Sequence, residues 1–146
     1  MIALDTNLLV YAHRSDAPFH TEANAVLTEL AEGSQRWAVP WPCVHEFIAI
    51  VTHPRIYKKP TSLSIALAAL AALTASPSME FIGEGEGYLE RIAEVAKSAR
   101  IVGGAIHDAR IAAICKYHGV RELWSADRDF SRFQQIKVHN PLLRNR

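Results

Sequence analysis

The stretch MIALDTNLLVYAHR, residues 1–14, decides the fold. Ile2, Ala3 and Leu4 are a short apolar run that stops at Asp5, which is the pattern of a buried strand. Residues 6–14 then read as a helix. Asp5 stands at the junction, at the carboxyl end of the strand. Aspartate there serves well as an N-cap for the next helix, so the position taken alone carries no function.

The same alternation runs outward through the chain. A second helix is predicted over residues 18–32, with Pro18 suited to its first turn and Gly33 to its end. Residues 37–39 are a second strand. Pro42 opens a third helix that reaches about residue 52 and stops ahead of Pro54. Residues 55–60 (RIYKKP) form a basic, aromatic-bearing turn, and residues 62–75 an alanine- and leucine-rich helix without a charge. A third strand over 79–82 leads into the acidic Gly83–Gly87 loop. Helices over 88–100 and 105–118, a strand over 122–125, a short helix over 128–133 and a last strand over 136–138 complete the order. Strands that alternate with helices imply right-handed crossovers and an α/β architecture with a mostly parallel sheet. In such sheets ligands bind outside the carboxyl ends of the strands. Asp5 and Asp127 both fall at such ends.

The 146 residues fit one domain, residues 1–146, large enough to hold a core without disulfides or structural zinc. With 49% hydrophobic and 21% charged residues the chain is neither disordered nor fibrous. Sixteen basic residues face fifteen acidic ones, so a generally basic nucleic-acid coat is excluded while a local basic patch is not. Cys43 and Cys115 form no CxxC pair and point to a reducing compartment. The first residues lack the basic start of an export signal. The uncharged stretch 60–79 is interrupted by prolines, serines and threonines, which argues for a buried helix rather than a membrane span.

Several familiar patterns fail. His45-Glu46 lacks the second histidine of a zinc-protease helix, because Ala49 stands there. Asp5-Thr6-Asn7 lacks the second aspartate of an aspartyl-phosphate phosphatase. The Gly83–Gly87 run has the wrong spacing for a phosphate loop, and its acids would repel phosphate.

What remains is a set of acids in unusual company. Glu46 lies in the apolar helix VHEFIAIV and reads equally as a paired functional acid or as one that snorkels to water. Asp108 lies in AIHDARIAA, on a face of Ala105, Ala109, Ala112 and Cys115, where an acid would otherwise merely favour the helix start. Asp127 and Asp129 follow the fourth strand in WSADRDF; singly each suits a turn or an N-cap. Together with Asp5 they place several carboxylates at one sheet edge. Uncompensated, they repel. A divalent ion resolves the conflict, and hard oxygen donors suit Mg²⁺ or Mn²⁺ and phosphodiester hydrolysis.

These residues carry a resemblance. Asp5-Thr6-Asn7, Glu46, Asp108 in HDARIAA, and Ser125-Ala-Asp127-Arg-Asp129-Phe130 resemble, in that order, the motifs of PIN-domain ribonucleases. Length and order are similar to the VapC toxins of type II toxin–antitoxin modules, over essentially the whole chain. The resemblance implies a PIN-like three-layer α/β/α sandwich around a mostly parallel sheet of four to five strands. It implies an endoribonuclease dependent on Mg²⁺ or Mn²⁺, cytoplasmic, inhibited by a cognate antitoxin and usually a homodimer. Asp5, Asp108 and Asp127 match the metal ligands, and Glu46 the acid that positions metal or water. Asp129 matches a less constant acid, Asn7 a small polar position, and Ser125 a place where threonine is frequent. The alternatives are a non-catalytic PIN-like RNA-binding scaffold, expected to lose acids that this chain keeps, and a metal-dependent phosphatase of small phosphate esters.

Two surfaces complete the expectations. Arg55, Lys58 and Lys59 in the basic turn are candidates for RNA backbone contacts, with Tyr57 available to stack on a base, and Arg110 and Arg128 are candidates near the scissile region. The helix over 62–75 has no charged face, so it should pack against the third helix and offer an apolar groove. An antitoxin segment is one occupant of such a groove and a second copy of the chain is another.

Overall fold

A computed structural model describes residues 1–143. The elements follow the order β1 (Ile2–Leu4), α1 (Thr6–His13), α2 (His20–Glu32), β2 (Trp37–Pro40), α3 (Trp41–Val51), α4 (Leu63–Leu73), β3 (Met79–Ile82), α5 (Tyr88–Ser98), α6 (Ile106–Tyr117), β4 (Glu122–Trp124) and β5 (Lys137–His139). Tight 3-10 turns at Gly103–Ala105 and Arg128–Arg132 precede α6 and β5.

Among the described residues, five strands form one sheet in the order β3-β2-β1-β4-β5, and every pairing is parallel. β1 and β2 are apolar throughout because helices cover both faces. Ala3, Ala38 and Leu123 are fully buried. The chain steps from β1 outward to β2 and β3, then returns past β1 to β4 and β5. Right-handed crossovers therefore put α1 to α4 on one face and α5 and α6 on the other. Accordingly α1 packs on α2 and α3, α3 on α4, and α5 along α6. The reversal leaves a crevice between the carboxyl ends of β1 and β4, where open α/β sheets place ligands.

Two boundaries differ from the sequence reading. Pro18 lies ahead of α2 rather than in its first turn. Phe19 takes a left-handed conformation (φ 60°), and its carbonyl accepts from the Ala23 N–H at 2.8 Å to start the helix at His20. The short helix expected over 128–133 is a 3-10 turn that ends at Arg132, since the Asp127 carboxylate caps the Asp129 N–H at 2.8 Å and Phe130 and Phe133 are drawn into the core. No helix among the described residues is long and apolar enough to cross a membrane.

Candidate metal centre and active site

Asp5 is the buried floor of the crevice, 5% exposed. The strand-to-helix junction puts it there: β1 is buried, and the first helical turn supplies an N–H. Its Oδ1 accepts from the Thr6 N–H at 2.8 Å and the Cys43 thiol at 3.7 Å. Its Oδ2 accepts from Ser125 Oγ at 2.7 Å and Asn7 Nδ2 at 3.4 Å. Ser125 Oγ in turn accepts from the Asp127 N–H at 2.9 Å and from Asn7 Nδ2 at 3.3 Å. Asn7 Oδ1 accepts from the Ala126 N–H at 3.2 Å. The start of α1 is thus bonded to the loop after β4, side chain by side chain.

A cleft of 250 Å³ opens above this floor. Its acids are Asp5 from β1's end, Glu46 from α3, Asp108 from α6 and Asp127 from the loop after β4; Asn7, Tyr11, Tyr57 and Phe130 also line it. Asp108, Asp127 and Asp129 each bring a carboxylate oxygen within 4.8 Å of the others. Asp129 is therefore part of the tightest group, whereas Asp5 lies deeper in the same cleft.

The electrostatics are those of a site with too much negative charge. Burial pushes the Asp5 carboxyl up to about 6, against the lowering effect of its hydrogen bonds from Ser125 and Thr6; Glu46 and Asp127 push the same way as burial. Asp108 is held above the usual carboxylate range by burial and by Asp127, with Arg132 opposing. Glu46 is raised by burial, with the Thr6 hydroxyl opposing and Asp108 and Asp127 adding to it.

A divalent cation fits these residues. The donors are all carboxylate oxygens, which suits a hard ion better than zinc. Thr6 Oγ1 is buried beside the same acids with no hydrogen-bond partner of good geometry, an orphaned polar atom at the floor of the site.

Comparison with known families assigns the chain. Residues 2–136 match the PIN domain. The chain is a PIN domain of the VapC family. It is 34% identical over 142 residues to Ribonuclease VapC43 of Mycobacterium tuberculosis, covering 97% of this chain and 96% of the relative. Among solved structures it is similar to the VapBC2 complex of Rickettsia felis bound to a promoter DNA fragment, with a TM-score of 0.69, 19% identity, and coverage of 96% and 98% of the two chains. It is also similar to VapC20 of M. tuberculosis, a toxin that cleaves the sarcin–ricin loop, with a TM-score of 0.65, 18% identity, and coverage of 94% and 99%. The PIN-like fold expected from the sequence is the fold observed.

Within this PIN domain the expected residues fall into two groups. Asp5, Asn7, Glu46, Asp108 and Asp127 line the one cleft, with Asp129 and Ser125 bonded into its edge. The cations do not converge there. Arg110 lies two positions beyond Asp108 on α6, about 200° around the helix, and is ion-paired with Glu84 after β3. Arg128 is exposed and lines a separate cleft with Ser131, Val138 and Asn140 on the far side of Asp127. Arg55, Lys58 and Lys59 are exposed on the loop that carries Tyr57 to the cleft.

Sequence reasoning missed Thr6, Tyr11, Arg14 and Arg132. Tyr11 follows Asn7 by one helical turn, so its place beside the acids was readable from the spacing. Arg132 donates to the Asp129 carbonyl at 3.2 Å, and only the 3-10 geometry brings it near Asp108. Arg14 bonds a loop 45 residues away, which no local pattern announces.

Proposed function

We propose that this VapC-family PIN domain is an endoribonuclease dependent on Mg²⁺ or Mn²⁺, and the toxin of a toxin–antitoxin pair. The carrying observation is the convergence of Asp108, Asp127 and Asp129 to within 4.8 Å in a cleft whose floor is the buried Asp5. Asp5, Asp108 and Asp127 are the proposed ligands, with Asp129 bracing the group. When bound, the ion supplies Lewis acidity and lowers the pKa of a water nucleophile. The chain's own residues do the rest. Ser125 and Asn7 hold Asp5 in one orientation. Glu46, at the mouth of the cleft with a raised pKa, orients the attacking water and accepts its proton. Arg55, Lys58 and Lys59 attract the RNA backbone, and Arg128 contacts it beyond Asp127.

The partner reading rests on a second observation. Leu9, Ala12 and His13 of α1, Leu27 of α2, Phe47 of α3, and Ala69, Leu70, Ala72 and Leu73 of α4 line an apolar groove of 270 Å³. A structural neighbour from Klebsiella pneumoniae is a toxin–antitoxin complex by its own description. An amphipathic antitoxin helix suits such a groove. We propose that the whole chain acts as one domain, cytoplasmic and homodimeric.

The deciding experiment incubates the purified chain with Mn²⁺ and either single-stranded RNA or p-nitrophenyl phosphate. RNA cleavage that Asp108→Asn abolishes supports the nuclease. Turnover of the ester alone would make it a phosphatase, and RNA binding without cleavage a scaffold.

A further inference from the structure

We propose that Tyr57 and Arg14 form a nucleobase subsite beside the acid cluster, with Tyr57 the stacking surface and Arg14 the residue that positions it. The proposal rests on the ribonuclease reading and adds where one unpaired nucleotide of the substrate sits.

The observation is a side chain braced from behind. Tyr57 lines the acidic cleft, although it belongs to the loop between α3 and α4. The Arg14 guanidinium lies 3.9 Å from the centroid of its ring. Arg14 thus occupies one face of the ring, and the surface that borders the cleft is left to a ligand. A planar cation so close to the ring centre holds an aromatic by cation–π attraction.

Arg14 is itself fixed on three sides. Its Nε and Nη2 donate to Asp16 at 2.9 and 2.6 Å. Its Nη1 donates to the Lys59 carbonyl at 2.8 Å and to Thr61 Oγ1 at 3.3 Å. His13 Nε2 bonds the same Thr61 hydroxyl at 3.1 Å. The end of α1 therefore grips the loop just after Tyr57, at Lys59 and Thr61, and α1 begins at the Asp5 junction. The distance from Tyr57 to the acids is set through one helix rather than by a free loop.

Every other feature of this wall suits a base. Tyr11, also on α1, lines the cleft, and its carbonyl is bonded by His20 Nδ1 at 2.8 Å. Ile50 and Val10 add apolar surface to the same cleft. A base is flat and weakly polar and stacks on aromatic faces, and its phosphate would lie toward the cation site. A small phosphate ester has nothing to place against this wall. The occupied nucleotide must be unpaired, since a base within a duplex offers no free face.

The test compares Tyr57→Leu, Tyr57→Phe and Arg14→Gln with wild type, by kcat and KM on a single-stranded RNA cleaved at one bond in Mn²⁺. Thermal melting establishes that each variant is folded. Stacking is worth about 1–3 kcal/mol per base, so Tyr57→Leu should raise KM about 5- to 150-fold with kcat little changed. Tyr57→Phe should bring KM back toward wild type. Arg14→Gln should raise KM in the same direction. The same RNA carrying an abasic nucleotide at each position near the cut then gives a double-mutant cycle. The Tyr57→Leu penalty should vanish at one position only. If folded Tyr57→Leu keeps a wild-type KM, or its penalty persists at every abasic position, the subsite is overturned and the nuclease stands. If wild type cleaves no RNA, both fall.

Discussion

The hydroxyl of Ser125 donates to Asp5 Oδ2 at 2.7 Å and accepts the Asp127 N–H at 2.9 Å, so one oxygen sets the orientation of two acids. Second partners of this kind are typically worth 10- to 100-fold in metal affinity or activity. Ser125→Ala should lower Mn²⁺-dependent RNA cleavage by about that factor. Ser125→Thr, which keeps the hydroxyl, should retain most of it. Initial rates across a Mn²⁺ titration check both, and equal loss in the two variants would show that the hydroxyl is not the cause.

Asp108→Asn and Asp127→Asn should each reduce cleavage at least about a hundredfold, more than the loss of an outer partner. Mg²⁺ should raise the Tm of wild type and do so much less in either variant, because an amide is a poor ligand for a hard cation. Without metal, Asp108→Asn should melt no lower than wild type at pH 8. Burial and Asp127 raise the carboxyl it replaces, so at that pH the charge there opposes folding.

The pH dependence of the metal-free protein follows from Asp5. Its carboxyl is raised to about 6 in the fold from 3.8, chiefly by burial. The folded state therefore binds the proton more tightly than the unfolded chain does. That contribution to stability is present in full below about pH 4 and is lost as pH rises through 6. In EDTA, the Asp5 contribution should make wild type lose stability between pH 4 and 7 relative to Asp5→Asn. Added Mg²⁺ should stabilise wild type more at pH 7.5 than at pH 5, where it competes with the proton. Denaturant midpoints with and without metal measure this, and a pH-independent metal effect would contradict it.

Ala72 lines the apolar groove, while Ala68 is exposed outside it. Aspartate at position 72 would put a charge where a bound helix removes water, a costly burial. Ala72→Asp should weaken antitoxin binding by at least about tenfold, and Ala68→Asp should not. Calorimetry with the cognate antitoxin separates them. A loss confined to Ala68→Asp would move the interface to the outer face of α4, where Leu63 and Ile65 are also exposed.

Lys58 and Lys59 are exposed next to Tyr57. Each single-strand phosphate contact contributes about 0.7 to the slope of log K against log salt. The double variant Lys58→Glu, Lys59→Glu should flatten that slope by about 1.4 if both residues contact phosphate. An unchanged slope would remove the turn from the RNA surface.

The sequence made the centre of the sheet legible because β1 and β2 are buried on both faces and so read as short apolar runs, as Ile2-Ala3-Leu4 ahead of Asp5 does. The acids were legible for a related reason: Glu46 and Asp108 are charges on otherwise apolar helices. What was not legible is whatever depends on distant packing. Phe19 adopts its left-handed turn beside Tyr11, with ring centroids 6.3 Å apart, and nothing in residues 18–20 requires it. Asp129 joins Asp108 only because the segment after Asp127 tightens into a 3-10 turn. Arg110 shares a short motif with Asp108, and proximity in sequence suggested proximity in space. The helix turns the two apart, and Glu84 takes the cation.

The crevice between β1 and β4 has a consequence for how the protein is made. The Ser125 that fixes Asp5 is synthesised 120 positions after it. Nothing in between can substitute, since β1 finds its β4 neighbour only once residues 122–124 exist. A growing chain on the ribosome therefore carries no assembled centre, and prematurely terminated products carry none either. Pairing of such remote strands is slow compared with local helix formation. The interval between synthesis and assembly is one in which α1, α2, α3 and α4, all earlier in the chain, can already meet a partner.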